Sequence, residues 1–270
     1  MKNSAQATEK QVRLHAIPAL SDNYIWLLAR GRHAVIVDPG ESAPVMAVLE
    51  EQGLTLDAIL LTHHHGDHVG GAKALQQHTG AVVYGPARES LPVCDYRLSE
   101  GDTVQLPHID LELKIFDIPG HTAGHIAYFG TLNTGQPILF CGDTLFAAGC
   151  GRLFEGTPEQ MVDSLGKLGV LPANTLLCCG HEYTLANLRW ALQVEPENLA
   201  LQHRWVTASG LRSEGKPTLP STLDAEHKTN PFFRISHAPV VNAASAHAGY
   251  SLETPVAVFT GLREWKNNFK

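Results

Sequence analysis

The sequence predicts a layered α/β domain, with two β-sheets and helices packed outside them, followed by a helical appendage. Three observations carry this expectation. Short β-branched or apolar runs punctuated by turn residues dominate the first half of the chain. Helical patterns closed by glycine lie between some of them, and after about Gly180 the texture becomes helix-friendly.

Taken in chain order, the strand runs are YIWLLA, AVIVDPG, AILLTHHH, AVVYGP, LELKIFDIPGHT, IAYFG and PILFCGDT, with helices expected at APVMAVLEEQG and GGAKALQQHTG. EYTLANLRWALQV and PENLALQHRWVTASGLRSEG then read as helices, and prolines at 217, 220, 231 and 239 are expected to break the helical pattern of the remaining chain. No internal repeat or low-complexity tract interrupts this plan.

At 270 residues and 44% hydrophobic content the chain can bury a sizeable core, which excludes disordered and fibrous classes. A formal net charge of −7 leaves no basic surplus for a phosphate backbone, so nucleic acid is not an expected partner. No apolar stretch approaches a membrane span, and MKNSAQATEKQVRLH lacks the apolar middle of a secretory signal. Five cysteines at irregular spacings fit reduced thiols, so a cytoplasmic protein is expected, with a monomer as the default.

The segment THHHGDH, residues 62–68, sits where the AILL strand runs out and a helix begins. His63 and His65, two apart on extended backbone, project the same way, whereas His64 points elsewhere; Asp67 and His68 follow after the turn. Two pairs of potential ligands from one loop suggest two metal ions side by side, and imidazole with carboxylate suits zinc, iron or manganese. The same grammar recurs. His121 follows LELKIFDI, Asp143 follows PILFC and His181 follows TLLCC, each time through a glycine after an apolar strand.

These motifs, THHHGDH, PGHTAGH, CGDTLF and GHEYT, resemble those of the metallo-β-lactamase superfamily. IPALSDNYIWLL, GDTLFAAGCGRLFEGT, GHEYTLANL and REWKNNF further resemble the bacterial glyoxalase II family of hydroxyacylglutathione hydrolases, over nearly the whole chain apart from the first ten residues and a loose stretch at 205–255. The resemblance implies an αββα sandwich of the metallo-β-lactamase type with an α-helical C-terminal domain. The expected division is an N-terminal tail at 1–10, a catalytic domain at 11–181 and a helical substrate-binding domain at 182–270.

It also implies two divalent metal ions per chain, zinc foremost with iron or manganese as alternatives. One is held by His63, His65 and His121, the other by Asp67, His68 and His181, with Asp143 and a hydroxide bridging both; Asp67 and Asp143 are the catalytic carboxylates. The residues alone supply these candidates without dividing them between two ions. Such a site suits a thioester, because a leaving thiolate of pKa about 8.5 needs little general acid. The implied substrate is S-D-lactoylglutathione or a related 2-hydroxyacylglutathione, an intermediate of methylglyoxal degradation.

Arg152, Arg263 and Lys266, with Tyr183 as a hydroxyl donor, are the substrate-binding candidates by family position; on their own they read as solvated surface groups. After GCG some relatives carry lysine and then tyrosine where this chain has Arg152 and Phe154, so a contact through that phenol is absent. Asp38 in IVDPG reads either as a carboxylate orienting a ligand histidine or as an ordinary Asp-Pro-Gly turn. His64 and His125 are expected to be structural or supporting. His15, His33, His78, His108, His203, His227, His237 and His247 show no partner pattern. The rival readings are an iron persulfide dioxygenase, a nucleic-acid-processing relative and a non-catalytic metal scaffold.

Overall fold

The computed structural model describes residues 11–269; the expected tail at 1–10 lies outside the described residues. The chain divides into two compact units, one comprising residues up to Asp117 plus Gly124–Gly142, the other Ile118–Ala123 plus Asp143 onward. The expected helical domain at 182–270 lies within the second.

In the first unit, β1 (Arg13–Ala19), β2 (Asn23–Arg30), β3 (His33–Val37), β4 (Thr55–Leu60), β5 (Val82–Pro86) and β6 (Tyr96–Leu98) form a sheet in sequential order. β1, β2 and β3 pair antiparallel, and β3 through β6 pair parallel. Parallel neighbours need crossovers, which α1 (Ala43–Gln52) provides between β3 and β4, and α3 (Ala72–Thr79) between β4 and β5 after the short α2 (Gly66–Val69). α1 ends on Gly53 in the left-handed conformation, φ 61°, the glycine stop read from APVMAVLEEQG.

Ile25, Leu27, Ile36 and Ile59 pack with Val45, Leu49 and Leu75 of the two helices in one buried cluster. The alternate residues Trp26, Leu28, Val35 and Leu60 face the other way and are also buried. They face a second set of antiparallel strands, β7 (Thr103–Leu106), β8 (Leu111–Asp117), β9 (Ile126–Thr131) and β10 (Pro137–Gly142). Tyr128 of β9 donates its hydroxyl to the Leu61 carbonyl at 2.8 Å. A sheet buried on both faces explains why β2 and β3 read as unbroken apolar runs.

In the second unit, β11 (Leu145–Phe146) pairs with β12 (Gly149–Cys150), and β13 (Leu176–Cys179) with β14 (Ser221–Thr222). Its helices are α4 (Pro158–Gly169), α5 (Thr184–Val194), α6 (Leu199–Ser213), α7 (Leu223–Thr229), α8 (Ala238–Ala248) and α9 (Pro255–Asn268). α4 opens on a capping box between Thr157 and Gln160, while α6, α7 and α9 are capped by the side chains of Asn198, Thr222 and Thr254. The prolines expected to break this region do something else at Pro239, which stands in the first turn of α8, where the missing N–H has no intrahelical partner to lose.

Trp190 stacks on Phe232 at 5.2 Å and Phe232 packs against Phe259, forming the aromatic centre of this unit. The loosely matching stretch around 205–255 carries a buried polar hub. Glu226, fully enclosed, accepts from Arg204 at 2.6 Å, Ser221 at 2.6 Å, the Ala148 N–H at 2.7 Å and Asn230 at 3.1 Å. A buried carboxylate is tolerated because both of its oxygens accept hydrogen bonds, one of them charge-assisted from Arg204.

Candidate metal centre

Each candidate ligand follows a strand end closely. Thr62 and His63 come directly after β4 and Leu61, Asp143 is the residue after β10, and His181 stands two residues after β13. Rigid strand tips hold such side chains better than free loops do. Gly142, the residue before Asp143, has φ 46°, and a Cβ there would stand 2.3 Å from Thr62 Oγ1 and 2.8 Å from the His125 ring. Only glycine fits both the backbone angle and the close approach.

In the first unit, His63 Nε2 and His65 Nδ1 face one another at 3.2 Å, as expected for two residues of the same extended segment. Asp67 Oδ2 lies 3.6 Å from His68 Nε2 and accepts from Asn23 Nδ2 at 3.1 Å. Asp38, open to two readings in the sequence, serves both. It adopts φ 51°, a conformation aspartate tolerates in turns, and its Oδ2 lies 3.1 Å from His68 Nδ1. Thr62 donates to the same carboxylate from its backbone at 2.8 Å and its hydroxyl at 2.6 Å. With Nδ1–H given to Asp38, His68 directs its unprotonated Nε2 toward Asp67 Oδ2.

His64 and His125 are placed as supporting residues. His64 meets Glu89 through both its backbone N–H and Nδ1, while Glu89 also accepts from the Gly124 N–H at 2.9 Å. His125 is buried, has Nδ1 3.0 Å from the Ile126 carbonyl, and stacks on His63 at 4.5 Å.

In the second unit, Asp143 Oδ2 lies 3.5 Å from His121 Nε2 and 3.3 Å from His181 Nε2, so one carboxylate oxygen serves two imidazoles. His121 Nδ1 is 2.9 Å from the Arg152 carbonyl, which fixes its tautomer with Nε2 directed at Asp143. Tyr183 stacks flat on His181, with centroids 4.6 Å apart and planes 4° apart, and meets Phe146 edge-on.

The donor chemistry fits divalent cations. Around a tetrahedral ion with ligand distances of about 2.0–2.1 Å, neighbouring ligand atoms stand about 3.3 Å apart. The nitrogen and oxygen pairs above stand 3.2–3.6 Å apart. Three of them are imidazole against carboxylate, the combination zinc, iron and manganese accept.

The four substrate-binding candidates all lie in the second unit. Arg152 is exposed and Tyr183 is 37% exposed. Arg263 and Lys266 stand one turn apart on α9, as the helical reading of GLREWKN expects. The solvated-surface reading of Arg263 does not hold, because it is only 6% exposed. Its Nη1 donates to the Cys150 carbonyl at 2.8 Å, Nε donates to Asn267 at 3.0 Å, and the guanidinium lies over Phe232. Burial pushes the Cys150 thiol up to about 11 against the lowering pull of Arg263. Lys266 is half-buried, donates to the Ala186 carbonyl at 3.1 Å, and has its pKa lowered to about 8, first by burial and then by the charges of Arg263, Arg152 and Arg189.

Asn23, Glu89 and Cys150 do not stand out in the sequence as site residues. Asn23 lies inside the SDNYIW segment and Cys150 inside GDTLFAAGCGRLFEGT, whereas Glu89 carries no local signal.

Residues 20–181 match the metallo-beta-lactamase superfamily, and residues 182–269 match the hydroxyacylglutathione hydrolase C-terminus. The chain is 52% identical over 258 residues to a hydroxyacylglutathione hydrolase of Albidiferax ferrireducens, covering 96% of this chain and 100% of that one. Among solved structures, ETHE1 from Myxococcus xanthus has the same fold, with TM-score 0.63 and 24% identity over 96% of this chain and 91% of that one. TTHA1623, solved in a di-iron-bound form, is 26% identical with TM-score 0.56, covering 81% of this chain and 99% of that one.

Proposed function

The chain belongs to the hydroxyacylglutathione hydrolase family of the metallo-β-lactamase superfamily, and from that premise we propose that it hydrolyses the thioester of S-D-lactoylglutathione and related 2-hydroxyacylglutathiones to D-lactate, or the corresponding hydroxy acid, and glutathione. The observation that carries the reading is the shared carboxylate oxygen of Asp143, 3.5 Å from one imidazole nitrogen and 3.3 Å from another.

We assign one cation to His63, His65 and His121 and a second to Asp67, His68 and His181, with Asp143 common to both, following the family pattern. Zinc is the first choice, with iron and manganese as alternatives that the same donors accept. A pair of cations bound there supplies Lewis acidity, bringing the pKa of water toward neutrality and offsetting the charge that develops on the thioester oxygen.

The chain's own residues do the remaining work. Asp38 and the Arg152 carbonyl hold His68 and His121 in the tautomers that leave Nε2 available. Asp67, steadied by Asn23, and Asp143 are the carboxylates able to accept a proton from the attacking water. No acid is required at the sulfur, since the departing thiolate is stable near neutral pH. Lys266 and Arg263, together with Arg152 and the Tyr183 hydroxyl, bind the glutathione carboxylates. Arg263 spends Nε and Nη1 inside the protein, so Nη2 is the donor for substrate.

We further infer that the chain acts as a cytoplasmic monomer without nucleic-acid or membrane partners. Support comes from five free cysteines and the net charge of −7; among the described residues no helix is long and apolar enough to cross a membrane.

Loss of thioester absorbance with S-D-lactoylglutathione, alongside elemental analysis, tests this reading. Turnover with two metals per chain is expected. One tightly bound iron with oxygen uptake on glutathione persulfide would assign the chain to the dioxygenase reading.

A further inference from the structure

We propose that His33, Asp57 and His108 form an additional divalent-cation site at the opposite end of β4 from the metal centre. His33 opens β3, Asp57 lies in β4, and His108 sits in the turn between β7 and β8. All three belong to the first unit. Asp57 is six residues before His63, which along a strand is about 20 Å, so this cluster is no extension of the ligands already described.

The geometry is that of three converging donors. Asp57 Oδ2 lies 2.9 Å from His33 Nδ1 and 3.2 Å from His108 Nδ1, and the donor atoms of all three residues lie within 4.8 Å of one another. A tetrahedral cation with ligands at about 2.0–2.1 Å sets its donors about 3.3 Å apart, so small rotations of the side chains suffice to admit one. The two rings already lie face toward face, with centroids 4.1 Å apart and planes 35° apart, which brings their Nδ1 atoms to the same carboxylate.

Exposure supplies both an entry path and open coordination positions. The side chains of His33, Asp57 and His108 are 40%, 23% and 59% exposed, respectively. Two imidazoles and a carboxylate suit Zn²⁺ and Ni²⁺, and Cu²⁺ more strongly still by the general order of first-row affinities.

The site would act as a clasp. A cavity of about 170 Å³ opens beside it, lined by Val35, Val82 and Tyr84 of the first sheet and by Leu106 and Ile109 next to the β7–β8 turn. A cation held by His33 and Asp57 on one side and His108 on the other would add a link between the two layers at the mouth of this cavity. Metal that binds the native arrangement alone stabilises the fold by mass action.

The test uses the protein with its metal centre already filled and exchanged to constant metal content. Calorimetric titration with Zn²⁺, and separately with Ni²⁺, is expected to show one further equivalent per chain and a rise in Tm with added metal. His33→Ala with His108→Ala should weaken that equivalent at least tenfold and remove the metal-dependent rise in Tm, while thioester turnover is unchanged; His108→Gln alone, in an exposed turn, should weaken it in the same sense. Absence of a further equivalent in the unmodified protein would overturn the proposal, as would an equivalent of the same affinity in the double variant. In either case Asp57 merely accepts hydrogen bonds from two surface histidines.

Discussion

Asp38 Oδ2 stands 3.1 Å from His68 Nδ1 with both side chains almost fully buried, although thirty positions separate them in the chain. The contact holds the imidazole by one nitrogen and leaves the other for a cation. Removing such a partner typically weakens a metal site by about 10–100-fold. Asp38→Asn is therefore expected to lower metal affinity by about that factor, measured by competition with a chromophoric chelator. Unchanged affinity would reduce Asp38 to a turn residue.

Asp143 and His64 offer a contrast within the histidine-rich site. Asp143 Oδ2 faces two imidazole nitrogens, whereas His64 is turned to Glu89. Asp143→Ala is expected to take bound metal well below two per chain and abolish most turnover, and His64→Ala to do neither. Elemental analysis beside the thioester assay reads both outcomes.

With the Lys266 pKa lowered to about 8, the proposed contact between this residue and a substrate carboxylate is expected to be pH-dependent. The ammonium is charged below that value and neutral above it, while a substrate carboxylate stays ionised throughout. KM should therefore rise as pH increases through about 8, with a smaller change in kcat. Lys266→Arg keeps its charge in this range and should give a flatter KM profile. Identical profiles would show that Lys266 does not contact the substrate.

Arg263 supports the fold through Cys150 and Asn267, and substrate binding is the role proposed for it in addition. Arg263→Ala leaves the Cys150 carbonyl without its charged donor, and charge-assisted hydrogen bonds contribute roughly 1.5–3 kcal/mol. A lower unfolding midpoint in denaturant and a KM raised about tenfold are both expected, with metal content unaltered. Lys266→Ala should raise KM with little effect on stability. A variant as stable as the parent would contradict the buried placement.

Breaking the Glu226 hub should be more costly. Arg204→Ala strands a carboxylate that is fully buried, and loss of one partner of a buried pair costs about 3–5 kcal/mol. Urea denaturation measures the loss, and a change below about 1 kcal/mol would show that Ser221, Asn230 and the Ala148 N–H satisfy Glu226 without Arg204.

The order of strands and helices in the first half was legible from the chain alone because it rests on local periodicity. Apolar runs at β2, β3, β4, β9 and β10 and the glycine stops at Gly53 and Gly80 are short-range signals. Strands β6, β11, β12 and β14 have no more than three residues each and left no such pattern. The candidate ligands were legible for the same reason, since each follows an apolar strand within a few residues.

The sequence by itself thus determined the layered α/β plan, the helical C-terminal region and the histidines and aspartates at strand ends. Only the tertiary structure decided that Asp38 orients His68, that Glu89 takes His64, that Glu226 gathers four donors, and that Arg263 lies buried against Cys150. It also brought His33 and His108, which had shown no partner pattern, together with Asp57. The physical reason is separation along the chain. Hydrogen bonds between Arg263 and Cys150, 113 positions apart, or between Glu226 and Ala148, 78 apart, depend on which surfaces meet when the core closes. Periodicity and capping report only what lies within one element.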